Sequence, residues 1–193
     1  LALAYTRDFT PKMETIVVLS GTVTDKDNVR TFTDLTKRYQ KEYCDKQGYG
    51  YKFVEATQHS YTGTVSSCIT HRERLGFQVN EGNKTILDVK DELGYWLKID
   101  LLVLELKKKR TDVQAYVWVD DDAVFLTDEP YLSDLLHGLI TKGKHIGIGE
   151  DREHSAYVNT GFILVRNTPE ALNFLNAVNT WGDMERRGDL SEV

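Results

Sequence analysis

Apolar positions along the chain alternate between short continuous runs and longer periodic ones. Residues 15–21 (TIVVLSG) form a β-branched apolar run closed by small residues, the pattern of a central parallel strand. Over residues 25–43 the spacing of Val29, Phe32, Leu35 and Tyr39 predicts a helix. A glycine break then introduces a second strand over 48–56 (GYGYKFVEA). Residues 91–110 give the strongest helical pattern, with acidic residues early and Lys107, Lys108, Lys109 and Arg110 closing its last turn. Strands are predicted at 115–119 (AYVWV), 145–149 (HIGIG) and 157–166, with a short helix at 130–136. Thr168-Pro169-Glu170 opens a final helix, since Thr suits the N-cap and Pro the first helical position. The polar, small residues 58–70 (QHSYTGTVSSCIT) read as a functional loop. Strands alternating with helices predict an α/β domain with a mainly parallel central sheet flanked by helices.

No repeat, low-complexity tract or linker divides the chain, so residues 1–193 are expected to form one domain. The composition, 40% hydrophobic and 28% charged, is that of an ordinary globular protein. A net charge of −6 without a basic stripe argues against a nucleic-acid partner. It leaves room for an anionic small ligand held by a local positive pocket or a metal. Cys44 and Cys68 lack metal spacing and are too few for a disulfide framework. Free thiols are expected, which suits a reducing compartment and a cytoplasmic or otherwise soluble catalytic domain. No run is long enough for a membrane helix. A chain that opens without Met and closes on Leu190-Ser191-Glu192-Val193 is expected to belong to a longer protein.

The unusual feature is Asp120-Asp121-Asp122, set between the apolar runs VWV and AVF. Adjacent carboxylates repel, and burying them uncompensated costs several kcal/mol each. In an extended segment Asp120 and Asp122 would share one face and Asp121 the other. A carboxylate pair beyond the carboxyl end of a strand suits a hard cation, Mn²⁺ or Mg²⁺. Such an ion takes its remaining ligands from water and substrate phosphates. The competing interpretation is a solvated turn, which the flanking core runs make less apt.

The segment VWVDDDAVFLTDEP (117–130) resembles the DxD region of metal-dependent nucleotide-sugar glycosyltransferases of the GT-A fold, and most nearly the family-34 galactosyl- and xylosyltransferases. Four further stretches resemble that family in order: VVLSGT (17–22), YQKEYCDKQGYGYKFV (39–54), WLK (96–98) and NTGFILVRNTPEALNFL (159–175). A glycosyltransferase domain of a large algal virus is the kind of member suggested. The resemblance implies a UDP-sugar donor, a glycan acceptor, Mn²⁺ or Mg²⁺ held by Asp120 and Asp122, and transfer of a hexose with retention. No carboxylate is placed as a nucleophile, so front-face attack is expected, the leaving phosphate taking the proton. The resemblance assigns Ser20, Gly21 and Thr22 to the nucleotide, Asp120, Asp121, Asn159 and Thr160 to the donor, and Lys98 to the donor's sugar or diphosphate. Asp122, Asn159 and Lys98 are its catalytic candidates. Two departures stand out. Asp121 occupies a position where the family often has a small polar residue, and no metal-binding His follows the final helix before Val193.

Each candidate has a plainer alternative. Lys98 lies on an apolar stripe, where a lysine also covers the core edge while its ammonium stays in water. Asn159 also suits a turn before a strand. His71, Arg72 and Arg74 form a basic cluster that could meet phosphate, although a solvated helix face explains them better. His137, His145 and His154 are candidates for a third metal ligand, but ordinary surface or capping histidines explain them better. Glu150 and Asp151 are expected on the acceptor side, and Asp25-Lys26-Asp27-Asn28 lacks the glycine and Glu of a calcium loop. Rival functions are a sugar-nucleotide nucleotidyltransferase, disfavoured because LSGTVTDKDN lacks a Gly-rich basic loop, and a non-catalytic nucleotide-sugar-binding module.

Overall fold

The computed structural model describes residues 15–24, 31–57, 86–150 and 158–187. The 58–70 stretch, His71, Arg72, Arg74, Asp151, His154, Cys68 and the 25–28 segment lie outside these. Along the described residues run β1 (Ile16–Thr24), α1 (Thr31–Gln47), β2 (Gly50–Thr57), α2 (Ile86–Lys107), β3 (Ala115–Val119), α3 (Tyr131–Thr141), β4 (Ile146–Glu150), β5 (Val158–Arg166) and α4 (Pro169–Arg187). The strands form one sheet in the order β2-β1-β3-β5-β4. β1 pairs in parallel with β2 and β3, while β5 is antiparallel to both β3 and β4. Only β5 therefore runs against the rest, and the sheet is mainly parallel, as the sequence pattern implied.

Alternation along the strands assigns each side chain to a layer. Val17, Leu19, Tyr116, Trp118, Ile163 and Val165 join one core cluster with residues of α2 and α4. Ile16, Val18, Ala115, Val117, Val119 and Leu164 face the other cluster, with Tyr43 and Cys44 of α1 and Leu132 and Leu136 of α3. The result is a helix–sheet–helix sandwich. From Leu97 to Leu106 α2 is buried nearly all round, because it lies between the sheet and α4. Its interior polar groups are partnered: Glu105 bonds Lys52 and Lys108, each at 2.6 Å, and Asn179 Nδ2 donates to Asp100 Oδ1 at 3.3 Å. Burial pushes the Glu105 carboxyl up, but the two lysines outweigh it and hold it below the usual range.

Three sequence expectations shift. α1 turns a different face inward: Phe32, Leu35 and Tyr39 are 57%, 42% and 47% exposed, while Thr33, Thr36, Gln40, Tyr43 and Cys44 are buried. The inward face meets backbone carbonyls, so polar residues occupy it. α2 ends at Lys107, leaving Lys108, Lys109 and Arg110 beyond it, with Lys109 in the left-handed region at φ 50°. α3 continues past residue 136 to Thr141, because Leu139 packs on the same cluster as Leu132 and Leu136. The Thr168 N-cap is present: Thr168 Oγ1 accepts the Ala171 N–H at 3.3 Å, with Pro169 opening α4.

Candidate functional site

β1 outlasts β3 at the carboxyl edge of the sheet. The β1–β3 ladder ends at Leu19↔Trp118, whereas β1 stays paired to β2 as far as Thr24↔Thr57. Residues 20–24 thus have no partner in β3, although Ser20, Gly21 and Thr22 are buried, and β3 there runs directly into Asp120. Because β5 is antiparallel, its first residues arrive at the same edge, as does Glu150 at the end of β4. The sheet brings Ser20, Thr22, Asp120, Asn159, Thr160 and Glu150 to one edge from four different strands or their ends.

Asp120 keeps the alternation of its strand and points to the Trp118 side, where α2 supplies Lys98. The Lys98 ammonium bonds Asp120 Oδ1 at 2.9 Å, the Thr160 carbonyl at 3.1 Å and Thr160 Oγ1 at 3.3 Å. An ammonium has three N–H donors, and these acceptors take all of them. Lys98 is only 6% exposed, so it is no lysine with its charge in water. Trp118 Nε1 also donates to Asp120 Oδ1, at 2.5 Å. Among the described residues Asp120 Oδ2 has no hydrogen-bond partner, and it lies 3.1 Å from the point a Cβ on Gly161 would occupy. That same point lies 2.9 Å from Asn159 Oδ1, which accepts the Gly161 N–H at 2.8 Å. The missing Cβ therefore makes room for the carboxylate.

A bulge in β5 creates this cradle. Ile148 pairs with Ile163, but the next β4 residue, Gly149, pairs with Asn159, so Thr160, Gly161 and Phe162 have no partner in β4. They turn instead to β3: Phe162 pairs with Val119, and the Gly161 carbonyl accepts the Asp120 N–H at 2.9 Å. Bulges re-aim side chains in this way.

The carboxylate triplet is a turn and not an extended segment, which corrects the expectation that Asp120 and Asp122 share a face by strand alternation. The Ala123 N–H bonds the Asp120 carbonyl at 3.1 Å, closing a four-residue turn. α1 braces it. Gln40 Nε2 donates to the Asp120 and Ala123 carbonyls at 3.0 and 2.7 Å, and Thr36 Oγ1 donates to the Asp121 carbonyl at 2.5 Å. Tyr51 donates its hydroxyl to Gln40 Oε1 at 3.0 Å. Burial holds that hydroxyl well above the usual tyrosine range, so it remains a donor. Sequence reasoning assigned Thr36, Gln40, Tyr51 and Trp118 no role in the site, although the last three fall in stretches that resemble the family. The available signal was two polar residues four apart, Thr36 and Gln40, on a helix whose visible apolar stripe lay on another face.

Among the described residues neither Asp121 nor Asp122 forms an ion pair, so Lys98 is the one cation bonded to the triplet. Asp121 Oδ2 is buried without a hydrogen-bond partner, and Asp122 is exposed. This excess of negative charge, together with the open Oδ2 of Asp120, fits a divalent cation. No three His, Cys, Asp or Glu side chains among the described residues form a metal-holding group, but a Mg²⁺-type site needs only one or two protein carboxylates. His145 precedes β4 at the opposite edge and bonds Thr168 Oγ1 at 3.0 Å, and His137 is exposed on α3. Neither joins the triplet. Ser20, Gly21 and Thr22 lie within β1 and not in a loop after it. A Cβ on Gly21 would meet the Val54 carbonyl oxygen at 2.7 Å, so the close approach this glycine permits is to β2. Ser20 Oγ is buried and without a partner.

No family model and no curated protein sequence matches the chain. Among solved structures it is similar to a glycosyltransferase involved in glycosylating the major capsid of PBCV-1, with 17% identity and a TM-score of 0.55, covering 87% of this chain and 67% of that one. It is also similar to mouse xyloside xylosyltransferase 1 in its apo form, at 10% identity and a TM-score of 0.45, covering 82% and 69% of the two chains. The first likeness, with the sheet order described above, establishes a GT-A-like α/β fold. Among the described residues no helix is long and apolar enough to cross a membrane.

Proposed function

We propose that this chain is a glycosyltransferase that moves a hexose from a UDP-sugar to a glycan hydroxyl, with metal dependence and retention at the anomeric carbon. The observation that carries the reading is the meeting of Asp120, Lys98, Thr160 and Asn159 at the carboxyl edge of the sheet, beside the unpaired edge of β1. In open α/β sheets ligands bind beyond that edge, and the fold is shared with a glycosyltransferase.

Asp120, through Oδ2, and Asp122 would hold Mn²⁺ or Mg²⁺, which when bound offsets charge on the leaving diphosphate. Ser20 and Thr22, buried beyond the end of β3, would meet the nucleotide through backbone groups not paired to β3, with Gly21 keeping β1 close to β2. Asn159 and Thr160 would face the sugar from the bulge in β5, and Asp121 would line the donor site. Lys98 holds Asp120 against Thr160; it reaches the donor only by releasing one of these acceptors. Its charge also lowers the repulsion among the three carboxylates. Among the described residues no side chain at this edge stands out as a covalent nucleophile, so the acceptor hydroxyl would attack on the face the leaving group departs from, its proton passing to the leaving phosphate. Glu150, exposed at the same edge, would border the acceptor.

UDP-sugar hydrolysis with Mn²⁺ tests the reading. Slow UDP release that EDTA abolishes is expected, with calorimetry showing weaker UDP binding in EDTA. Pyrophosphate-dependent UTP formation would instead indicate a nucleotidyltransferase, and UDP-sugar binding without turnover a binding module. Equal UDP binding with and without EDTA removes the metal from the reading. A trapped glycosyl-enzyme adduct would overturn front-face attack.

A further inference from the structure

We infer that Gln40 is a positioning residue, which sets the conformation of the carboxylate turn through its side-chain amide. Each N–H of that amide meets one end of the turn, the Asp120 carbonyl at 3.0 Å and the Ala123 carbonyl at 2.7 Å. The amide oxygen accepts from Tyr51 at 3.0 Å, which fixes which way the amide points. Gln40 is 0% exposed, so water does not replace it readily, and its loss strands partly buried carbonyls. Thr36, one helical turn earlier, holds the carbonyl of the intervening Asp121. Together these bonds tie the turn's backbone to α1 at residues 120, 121 and 123.

The chemistry of an amide explains why this position is a glutamine. Three successive carboxylates repel one another and favour an open, extended segment over a turn. A lysine or arginine here would oppose that repulsion by pairing with the carboxylates, consuming the charge the site presents. A neutral amide has two donors and binds backbone carbonyls instead. It fixes the turn and leaves Asp121 and Asp122 free of ion pairs, as observed. Tyr51, brought by β2, completes the device by saturating the amide's acceptor. The importance of this turn for catalysis rests on the transferase reading; the bracing itself does not.

The test uses Gln40→Met, which keeps the length of the side chain without its donors, and Tyr51→Phe, which removes only a hydroxyl. Amide hydrogen exchange is followed at Ala123, whose N–H closes the turn, and at Val117, inside the β3 ladder. In Gln40→Met the Ala123 amide should exchange about tenfold faster or more, with Val117 unchanged. Tyr51→Phe should shift Ala123 in the same direction by less. UDP-sugar turnover should fall in the same order while the fold stays intact by circular dichroism. Unchanged Ala123 exchange in both variants overturns the inference, as does equal acceleration at Ala123 and Val117, which would mark a general loss of stability. Faster Ala123 exchange with undiminished turnover would overturn the link between turn and chemistry. If the wild type itself turns over no UDP-sugar, the transferase reading fails, and the exchange result still decides the role of Gln40.

Discussion

Asp120 and Lys98 depend on each other more than their separate positions in the sequence suggest. Lys98→Met would leave Asp120 Oδ1 with Trp118 alone and remove two bonds from Thr160. The Asp120 side chain is 33% exposed, so solvent softens the loss, and a destabilisation of about 1–3 kcal/mol is expected in urea titration. UDP-sugar turnover, normalised to folded protein, should fall by about tenfold or more, with metal-dependent binding of free UDP weakened as Asp120 loses its anchor. Unchanged normalised turnover would reduce Lys98 to a structural lysine. The three aspartates separate differently. Asp120→Asn and Asp122→Asn should each lower Mn²⁺ affinity and nearly abolish turnover, the first also weakening the Lys98 bond. Asp121→Asn should retain more of both, since its carboxylate oxygen is already buried away from solvent. The largest loss at Asp121 would contradict the assigned ligands.

At the scale of elements, the site depends on β1 lying tightly against β2 and on the bulge in β5. Gly21 sits opposite Val54 in the parallel register, and an added Cβ would fall 2.7 Å from the Val54 carbonyl oxygen. Gly21→Ala should therefore destabilise the protein by about 1–3 kcal/mol, read from the midpoint of urea unfolding. Retained stability with lost UDP binding would show that this glycine serves the ligand before the sheet. The phase of α1 belongs to this scale too. Its sequence spacing announced a helix through Phe32, Leu35 and Tyr39, yet those side chains are the exposed ones. Helical period was legible; which face turns inward was not, because the sheet-facing surface needed donors for a turn some eighty residues away.

The buried thiol contributes a pH dependence to the stability of the whole molecule. Cys44 is fully buried, and burial, with the neighbouring Asp45 charge, pushes its pKa from 9.0 to about 12. The unfolded chain therefore ionises this group first as pH rises. Its contribution to stability is complete below about pH 9 and is lost progressively towards pH 12. Cys44→Ala removes the contribution. Between pH 10 and 11 the unfolding free energy of the wild type should fall more steeply than that of the variant, by about 1.4 kcal/mol per pH unit. Parallel slopes would mean that Cys44 ionises equally in both states. Tyr43, pushed up to about 12 chiefly by burial, acts in the same direction in both proteins.

Local pattern was enough for the α/β class, the order of the elements and the place of the carboxylates beyond a central strand. These follow from local periods, two for a strand and about 3.6 for a helix, which neighbouring residues impose on one another. The N-cap at Thr168 was legible for the same reason. Tertiary structure alone decided which groups meet. Lys98 and Asp120 are 22 residues apart, Lys98 and Thr160 62 apart, and Gln40 and Asp120 80 apart. Their contact depends on the order and direction of strands, on a bulge that only pairing with β4 reveals, and on the face α1 presents to the sheet. The bend at Asp120–Ala123 was hidden likewise, because it is held by partners that local sequence cannot name. A lysine on an apolar stripe announces that it needs an acceptor. Only the packing of α2 against β3 and β5 makes that acceptor Asp120.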